Sequence, residues 1–372
     1  MEWKDEMMSN ILSLIFYISV ICISTLLFSV YNNPNCFIRR TGVTLSILIP
    51  SVVSGLRYEV GVDYRNYYMA FRKIAKLDWK YINDKSYTGL NAEPVFNVWI
   101  KLLTYFFNAK VIFGILTFIT LFVLVKAMIK QYGEYRLALC FFVYMCIYYG
   151  ESLNNVRQFL AVSFVLASYT YIFQNKPVKF LFLAGIAAVI HISALLIIPL
   201  WFFWDHKKSC ALSVSRVLKY FTVIVVVELT WKPILAILIR KLAFLERFEM
   251  YLISENSANG TFYIKLGLLV LFLVGIKYRK EKNERINLLV YAFSIDVLIS
   301  IIGFSVSPIK RVGLYYGVPS CVILGTLPQF MNLNSIQSKK IAVAFVILFG
   351  ISYFALYYYI LGNAGIMPYK IK

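Results

Sequence analysis

Charged residues are scarce in this sequence, where Asp, Glu, Lys and Arg make up 15% of the 372 residues. Soluble domains usually carry about a quarter charged residues, and less apolar sequence than the 60% present here. The composition therefore excludes an ordinary water-soluble domain. Apolar runs of roughly 18 to 25 residues recur along the chain, which is the length of a bilayer-spanning helix. We predict an all-α, polytopic integral membrane protein with about 11–12 transmembrane helices.

Residues that hold metal ions are also few. The chain has two histidines, no Asp-x-Asp pair and no Asp-rich loop, and its six cysteines lack metal-ligand spacing. It also lacks the glycine-rich phosphate loop and the G-x-S-x-G nucleophile turn. We therefore predict no metal and no cofactor, so that any electrostatic help to a reaction comes from arginine.

Acidic residues are outnumbered: 18 Asp and Glu stand against 38 Lys and Arg, for a net charge of +20. In a soluble protein this excess would suggest nucleic acid. Here the basic residues collect in short loops between apolar runs, as in the cytoplasmic loops of membrane proteins, where anionic membrane lipid attracts them. No basic stripe lies elsewhere, so a nucleic-acid partner is not expected.

The apolar runs predict a single transmembrane domain over residues 1–372 without internal repeats. We place the spans at 10–30, 41–56, 110–129, 137–150, 156–174, 178–204, 217–239, 262–278, 286–306, 312–330 and 341–361. Two long polar segments separate them and are predicted to be external loops: 57–93, and 240–261 with an amphipathic helix.

The stretch 178–204 is unusual because it is long for one pass and holds His191 near its middle. The loop-charge rule is satisfied throughout if this stretch is a broken, re-entrant helix pair that enters from the cytoplasm and returns to it. A single tilted helix, with the remaining loops reversed, is the alternative.

Polar side chains cluster at the predicted outer ends of spans. The segment "GLRYEVGVDYRNYY" (55–68) places Arg57 and Asp63 among tyrosines, and Gly61 permits a turn that would bring the two charges together. The alternative is an interfacial tyrosine belt with the arginine among lipid headgroups.

The segment "ESLNNVRQFLAVSF" (151–164) is predicted to open the next inward helix. On a continuous helix Asn154, Arg157 and Gln158 share one face. The planar fork of Arg157 suits a diphosphate, or the side chain snorkels to the outer headgroups.

Two further positions join this set. Lys310 and Arg311 begin another inward span, with Tyr315 one turn later on the face of Arg311. The alternative is that the two cations snorkel to the outer headgroups. His191 lies at membrane depth, where it is either a general base or a packing residue. Three cationic helix starts on one membrane side predict an anion site.

These segments resemble the EpsG family of Wzy-type polysaccharide polymerases. The first block looks like its G-x-R-Y-x-V-G-x-D-Y-x-x-Y signature, and the resemblance continues to the C-terminal end in "EPVFNVWIKLL", "NNVRQFLAVSF", "HISALLIIP", "KRVGLYY" and "MPY". The matching positions are Arg57, Tyr58, Asp63, Tyr64, Glu93, Asn155, Arg157, Gln158, His191 and Arg311.

The resemblance implies a GT-C-like, metal-independent glycosyltransferase of the bacterial cytoplasmic membrane, for O-antigen, capsule or exopolysaccharide. It would join undecaprenyl-diphosphate-linked repeat units on the outer face, with a flippase and a chain-length regulator as partners. A flippase of lipid-linked oligosaccharide and an O-antigen-ligase-like transferase are the alternatives.

The expected roles follow from that chemistry. The diphosphate is assigned to Arg57, Arg157 and Arg311, which would stabilise the leaving group. The catalytic base is left open among Asp63, Glu93 and His191. Sugar contacts are assigned to Tyr58, Tyr64, Tyr67, Asn154, Asn155, Gln158 and Tyr315.

Overall fold

A computed structural model describes residues 2–133, 137–204, 237, 260–278, 283–303, 309–330 and 335–371. Every regular element in these ranges is helical, and an isolated bridge pairs Arg57 with Ile371. The all-α fold class is confirmed. The predicted span 217–239 and the second external loop at 240–261, with its amphipathic helix, lie almost wholly outside the described residues.

Sixteen described α-helices are numbered here in chain order. They are α1 Glu2–Phe28, α2 Cys36–Leu56, α3 Tyr64–Lys76, α4 Lys85–Thr88, α5 Pro94–Thr104, α6 Ala109–Tyr132, α7 Leu137–Ile147, α8 Tyr149–Asn154, α9 Val156–Phe173, α10 Pro177–Ile190, α11 Ile198–Phe203, α12 Gly260–Lys277, α13 Glu284–Ile302, α14 Lys310–Gly317, α15 Ser320–Phe330 and α16 Ile336–Phe354. Short 3-10 segments occur at Trp79–Tyr81, Ile192–Ile197 and Asn363–Gly365, and a π-helical turn at Ala355–Ile360 extends α16.

Six helical stretches in the described part of the chain are long and apolar enough to cross a membrane: Ser9–Phe28, Cys36–Leu56, Ala109–Tyr132, Val156–Phe173, Gly260–Lys277 and Ile336–Ile360. Shorter apolar helices lie at Leu137–Ile147, Pro177–Ile190 and Ile192–Phe203. All of them fall within predicted spans or overlap them closely. The protein is therefore a multi-pass membrane protein.

Residues 57–93, here called the cap, form a folded layer rather than an open loop. Tyr64, Phe71 and Ile74 of α3 are buried against Ile100 of α5 and Phe113 of α6. A neighbouring side chain closes the end of α3, since the Lys101 ammonium donates to the carbonyls of Ile74, Ala75 and Leu77 at 3.1, 3.0 and 2.8 Å. Such a cation at a helix C-terminus satisfies carbonyls that have no partner in the helix.

The C-terminal segment 361–371 lies beside the start of the cap. The backbone N–H of Tyr58 donates to Lys370 O at 2.8 Å, and that of Gly61 donates to Gly365 O at 2.8 Å. The start of the cap and the C-terminal segment are far apart in the sequence but meet on one side of the helical layer. We call this side the cap side.

The opposite side of the helical layer holds the ends of α6 and α9. Arg285, at the start of α13, donates to Gln131 O at 2.7 Å and lies over the Phe173 ring at 5.2 Å, so the ends of α6 and α9 meet the beginning of α13. Loop charge predicts that this side faces the cytoplasm.

The broken helix pair is present where it was predicted. Helix α10 ends at Ile190, and His191 is extended with φ −152° and ψ 107°. Residues 192–203 then run back along α10, so that Trp201 stacks on Phe180 with ring centroids 5.3 Å apart. The single tilted helix is excluded.

Two predicted helices are interrupted. The span 137–150 ends at Ile147, and a kink at Asn155 (φ −91°, ψ 54°) separates α8 from α9. Asn154 therefore does not share a helix face with Arg157 and Gln158, contrary to prediction, because asparagine side chains favour non-helical backbone. The span 312–330 is also split, after Gly317, just before Pro319.

Candidate functional site

A polar cavity of about 450 Å³ opens on the cap side, between the cap, α8, α12, α14 and the end of α16. Its charged lining residues are Asp63, Glu151, Lys265, Lys310 and Arg311. A larger groove of about 630 Å³ has a mainly apolar lining in which Lys339 is the charged residue. Only the first of these cavities, among the described residues, combines several cations with carboxylates.

The three cations come from two helices. Lys310 and Arg311 begin α14, and Arg311 is exposed to the cavity. Burial and the charge of Lys265 together lower the pKa of Lys310, which means that the cations repel one another when no anion lies between them. A bound anion would relieve this repulsion.

Lys265 is held in place by a buried carboxylate. Its ammonium lies 2.7 Å from Oδ1 of Asp296 and 3.0 Å from Oγ of Ser300. Asp296 is 1% exposed and fits against α14 because Gly313 and Gly317 have no side chain there, and a Cβ at either position would overlap the carboxylate. Among the described residues, Asp296 and Ser300 take two of the three N–H bonds of Lys265, which leaves the third for the cavity.

Glu151 is the carboxylate most firmly held at the cavity. Tyr357 donates to its Oε1 at 2.9 Å, and the Asn155 amide donates to its Oε2 at 3.1 Å. Burial raises the pKa of Glu151, and the Tyr357 hydroxyl and the charge of Arg311 oppose that rise only in part. The nearby Asp63 carboxylate raises it further.

Asp63 reaches the cavity through the turn predicted at Gly61, which has φ +102°. Asn154 Oδ1 accepts from the Asp63 backbone N–H at 2.7 Å, and a Cβ at Gly61 would lie 3.3 Å from that same oxygen. The V-G-x-D pattern thus has a local reason: glycine is needed for the positive φ and for the close approach of Asn154.

Arg57, in contrast, does not reach the cavity. Its side chain is 0% exposed, donates to Val60 O at 3.2 Å, and lies over the rings of Phe113 and Tyr64 at 4.9 and 5.3 Å. The Gly61 turn therefore folds Arg57 inward and brings Asp63 to the cavity.

Arg157 lies in a second cluster together with Glu93 and His191, which are distant from it in the sequence. Its guanidinium lies 2.6 Å from Oε2 of Glu93 and donates to Asn91 O at 2.9 Å and to the Tyr67 hydroxyl at 3.3 Å. His191 Nδ1 lies 3.4 Å from Oε1 of the same glutamate. All three guanidinium nitrogens thus have protein partners.

The second cluster connects the cap to the break that follows α10 at His191. Oε1 of Glu93 also accepts from the backbone N–H of Ile192 at 2.8 Å. Burial opposes ionisation of Glu93, but the His191 ring, the Ile192 N–H and the charge of Arg157 outweigh it and lower the pKa of Glu93. A carboxylate held in this way is a weak base.

The remaining predicted residues are distributed around these two groups. Gln158 donates to Arg311 O at 2.5 Å, and the hydroxyls of Tyr315 and Ser193 are 3.0 Å apart, so both residues connect α14 to its neighbours. Tyr64 is buried in a stack with Phe113, and Tyr58 lies beneath the Lys110 ammonium.

The structure thus brings Asp63, Asn154, Asn155 and Arg311 together at the cavity and places Glu93, Arg157, His191 and Tyr67 in the second cluster. Sequence reasoning gave no role to Glu151, Lys265 or Asp296. The last two lie within apolar spans, where an ionisable side chain is costly and indicates function, so that rule could have found them.

The fold and the cavity together define a class of protein: a multi-pass helical membrane protein whose site on the cap side contains both cations and carboxylates. A family model for the EpsG family matches residues 40–371. The chain belongs to the EpsG family, a family of Wzy-like polymerases of polysaccharide. Searches for similar curated proteins and for similar solved structures find no significant match.

Proposed function

We propose that this protein polymerises undecaprenyl-diphosphate-linked oligosaccharide repeat units on the outer face of the bacterial cytoplasmic membrane. The observation that carries the proposal is the grouping of Lys265, Lys310 and Arg311 with Asp63 and Glu151 around one cavity of about 450 Å³. Membership of the EpsG family supports a polysaccharide polymerase.

The reaction needs both kinds of charge. A hydroxyl of one lipid-linked unit attacks the anomeric carbon of the growing chain and forms a new C–O bond. The C–O bond to the diphosphate breaks, its electron pair leaves with undecaprenyl diphosphate, and the hydroxyl proton goes to a carboxylate. Fixed cations stabilise the charge that develops on the leaving oxygen, and a carboxylate within reach accepts the proton.

We assign the diphosphate to Arg311 with Lys310 and Lys265. Arg311 offers a planar fork to phosphate oxygens, and the two lysines add point charges. Asn154 and Asn155 line the same cavity and supply amide groups for sugar hydroxyls.

Arg57 and Arg157 were predicted to bind the diphosphate as well, and that role stays a prediction. Their geometry supports positioning roles better, because Arg57 is buried and the nitrogens of Arg157 are bonded to the protein. Glu93 and His191, predicted base candidates, belong to the cluster of Arg157.

The outer location rests on charge distribution. The short loops opposite the cap include Arg39 and Arg40, Lys176 and Lys179, and Lys339 and Lys340, and such loops face the cytoplasm. The cavity then faces outward, where a flippase would deliver lipid-linked units and a chain-length regulator would act.

The test is reconstitution of the purified protein with one synthetic undecaprenyl-diphosphate repeat unit, with and without EDTA. We expect a ladder of longer lipid-linked chains that EDTA leaves unchanged. The Arg311→Ala variant should lose the ladder and Arg311→Lys should recover it only in part, whereas Arg65→Ala, an exposed cap residue, should behave as wild type.

Absence of a ladder with a competent substrate would contradict the proposal. Movement of labelled lipid across a vesicle membrane would then indicate the flippase. Transfer of one chain to a different acceptor would indicate the ligase-like transferase.

A further inference from the structure

Glu151 is a cavity residue whose side chain and backbone are both hydrogen-bonded to tyrosines of the last helix. We propose that its carboxylate accepts the proton of the attacking hydroxyl, and that Tyr357 is a positioning residue that fixes the orientation of this carboxylate. The inference rests on the proposed polymerase function and names the base that the sequence left open.

The two carboxylate oxygens of Glu151 are constrained equally. Each accepts one hydrogen bond, from Tyr357 at 2.9 Å and from Asn155 at 3.1 Å. A carboxylate oxygen has two lone pairs, so each oxygen keeps one for a proton. The carboxylate is therefore fixed in orientation and can still accept a proton.

An unusual backbone turn brings Tyr357 to this position. Residues Ala355–Ile360 form a π-helical turn at the end of α16, closed by the bond from Leu361 N–H to Leu356 O at 3.0 Å. Such turns occur mostly as single interruptions of α-helices, frequently at functional sites.

The turn directs two consecutive tyrosines to the same glutamate. Tyr357 donates to the Glu151 side chain, while the hydroxyl of Tyr358 accepts from the Glu151 backbone N–H at 3.1 Å and donates to Ile147 O at 2.7 Å. Gly150 leaves the space for the Tyr358 ring, since a Cβ there would lie 2.5 Å from it. Side chain and backbone of Glu151 are thus held separately.

The other carboxylates are less suited to the task. Glu93 and Asp296 are paired with Arg157 and Lys265. Asp63 lines the cavity, but within the described part of the chain no donor is hydrogen-bonded to its carboxylate. Glu151 alone among these four is both at the cavity and oriented by neutral donors.

The charged and titratable groups that face Glu151 come from α14, from the cap and from the last helix. Arg311 from α14, Asp63 from the cap, and Tyr353, Tyr357 and Tyr358 from the last helix face it. Burial raises the pKa of the carboxyl toward the range in which a general base is most effective. Once protonated, Glu151 releases its proton to water through the open cavity.

The decisive experiment compares Glu151→Ala with Asp63→Ala in the reconstituted assay, with and without sodium azide. Azide needs no base, so it can replace the attacking hydroxyl when only the base is missing. We expect Glu151→Ala to elongate at least about 100-fold more slowly. Azide should restore release of undecaprenyl diphosphate and yield a glycosyl azide, detected by mass spectrometry, whereas Asp63→Ala should give none.

If Asp63→Ala, rather than Glu151→Ala, yields the glycosyl azide, then Asp63 is the general base. Elongation by Glu151→Ala at the wild-type rate, or loss of elongation without azide product in a correctly folded variant, would overturn the inference. If the wild-type protein makes no ladder, the proposed function itself has failed, which is a distinct result.

The Tyr357→Phe variant tests the same inference without removing the carboxylate. The Tyr357 hydroxyl lowers the pKa of Glu151, so its loss raises that pKa. The base is active when deprotonated, and the acid limb of the elongation rate should therefore move to higher pH. An unchanged acid limb would count against Glu151 as the base.

Discussion

The contact between Arg157 and Glu93 allows two roles of the arginine to be distinguished. Arg157 either binds the diphosphate of the substrate or holds the cap in place through Glu93. If Arg157 fastens the cap, then Arg157→Ala breaks a pair whose side chains are 10% and 16% exposed. Breaking a buried pair on one side costs about 3–5 kcal/mol. The partial exposure favours the lower end, so we expect the free energy of unfolding to fall by about 3 kcal/mol.

The assay is a double-mutant cycle of Arg157→Ala and Glu93→Ala, with unfolding followed in mixed detergent micelles. We expect a coupling of about 2 kcal/mol between the two changes, because the shared 2.6 Å contact is lost only once. Arg65→Ala combined with Glu93→Ala is the matched control and should be additive. The lowered pKa of Glu93 means that the pair stabilises the fold at neutral pH and that its contribution is lost as pH falls through that pKa.

A coupling within about 0.5 kcal/mol of zero would refute the fastening role. If Arg157→Ala then also weakened binding of the lipid-linked unit while leaving stability unchanged, the clamp predicted from the sequence would be restored.

Two further predictions concern packing and topology. Gly317→Ala places a methyl group on the Asp296 carboxylate and should lower the free energy of unfolding by about 1–3 kcal/mol. Gly267→Ala meets open space inside a helix, where alanine is favoured over glycine, and should leave that free energy unchanged or raise it by up to about 1 kcal/mol. An equal loss of stability in both variants would contradict the close packing of Asp296 against Gly317. A cysteine in place of Asp84 in the cap should react with a membrane-impermeant maleimide on intact cells, and one in place of Lys339 should react only after permeabilisation. The reverse pattern would place the cavity on the cytoplasmic side.

Much of the architecture could be predicted because it depends on local composition. Apolar run length predicted the helices, and loop charge indicated the broken helix pair that turns at His191. The kink at Asn155 was missed because a helical pattern continues across it, and a single backbone interruption leaves almost no mark in hydropathy.

The candidate site was only partly predictable, since side-chain partnership depends on distant segments. Glu93 and Arg157 are 64 positions apart, and no spacing rule relates them. Glu151 was passed over beside the more conspicuous Arg157, because the tyrosine that orients it comes from 206 positions further along the chain.

The sequence by itself determined that this protein is a multi-pass helical membrane protein, because bilayer length and loop charge act on contiguous residues. Membership of the EpsG family follows from the family match over residues 40–371. The tertiary structure decided which cations face the cavity. It turns Arg57 into the core, bonds Arg157 to the cap, and leaves Arg311 beside Glu151. The physical reason is that a charge at membrane depth must have a partner or reach a polar cavity, and only the folded arrangement of helices determines which of these it has.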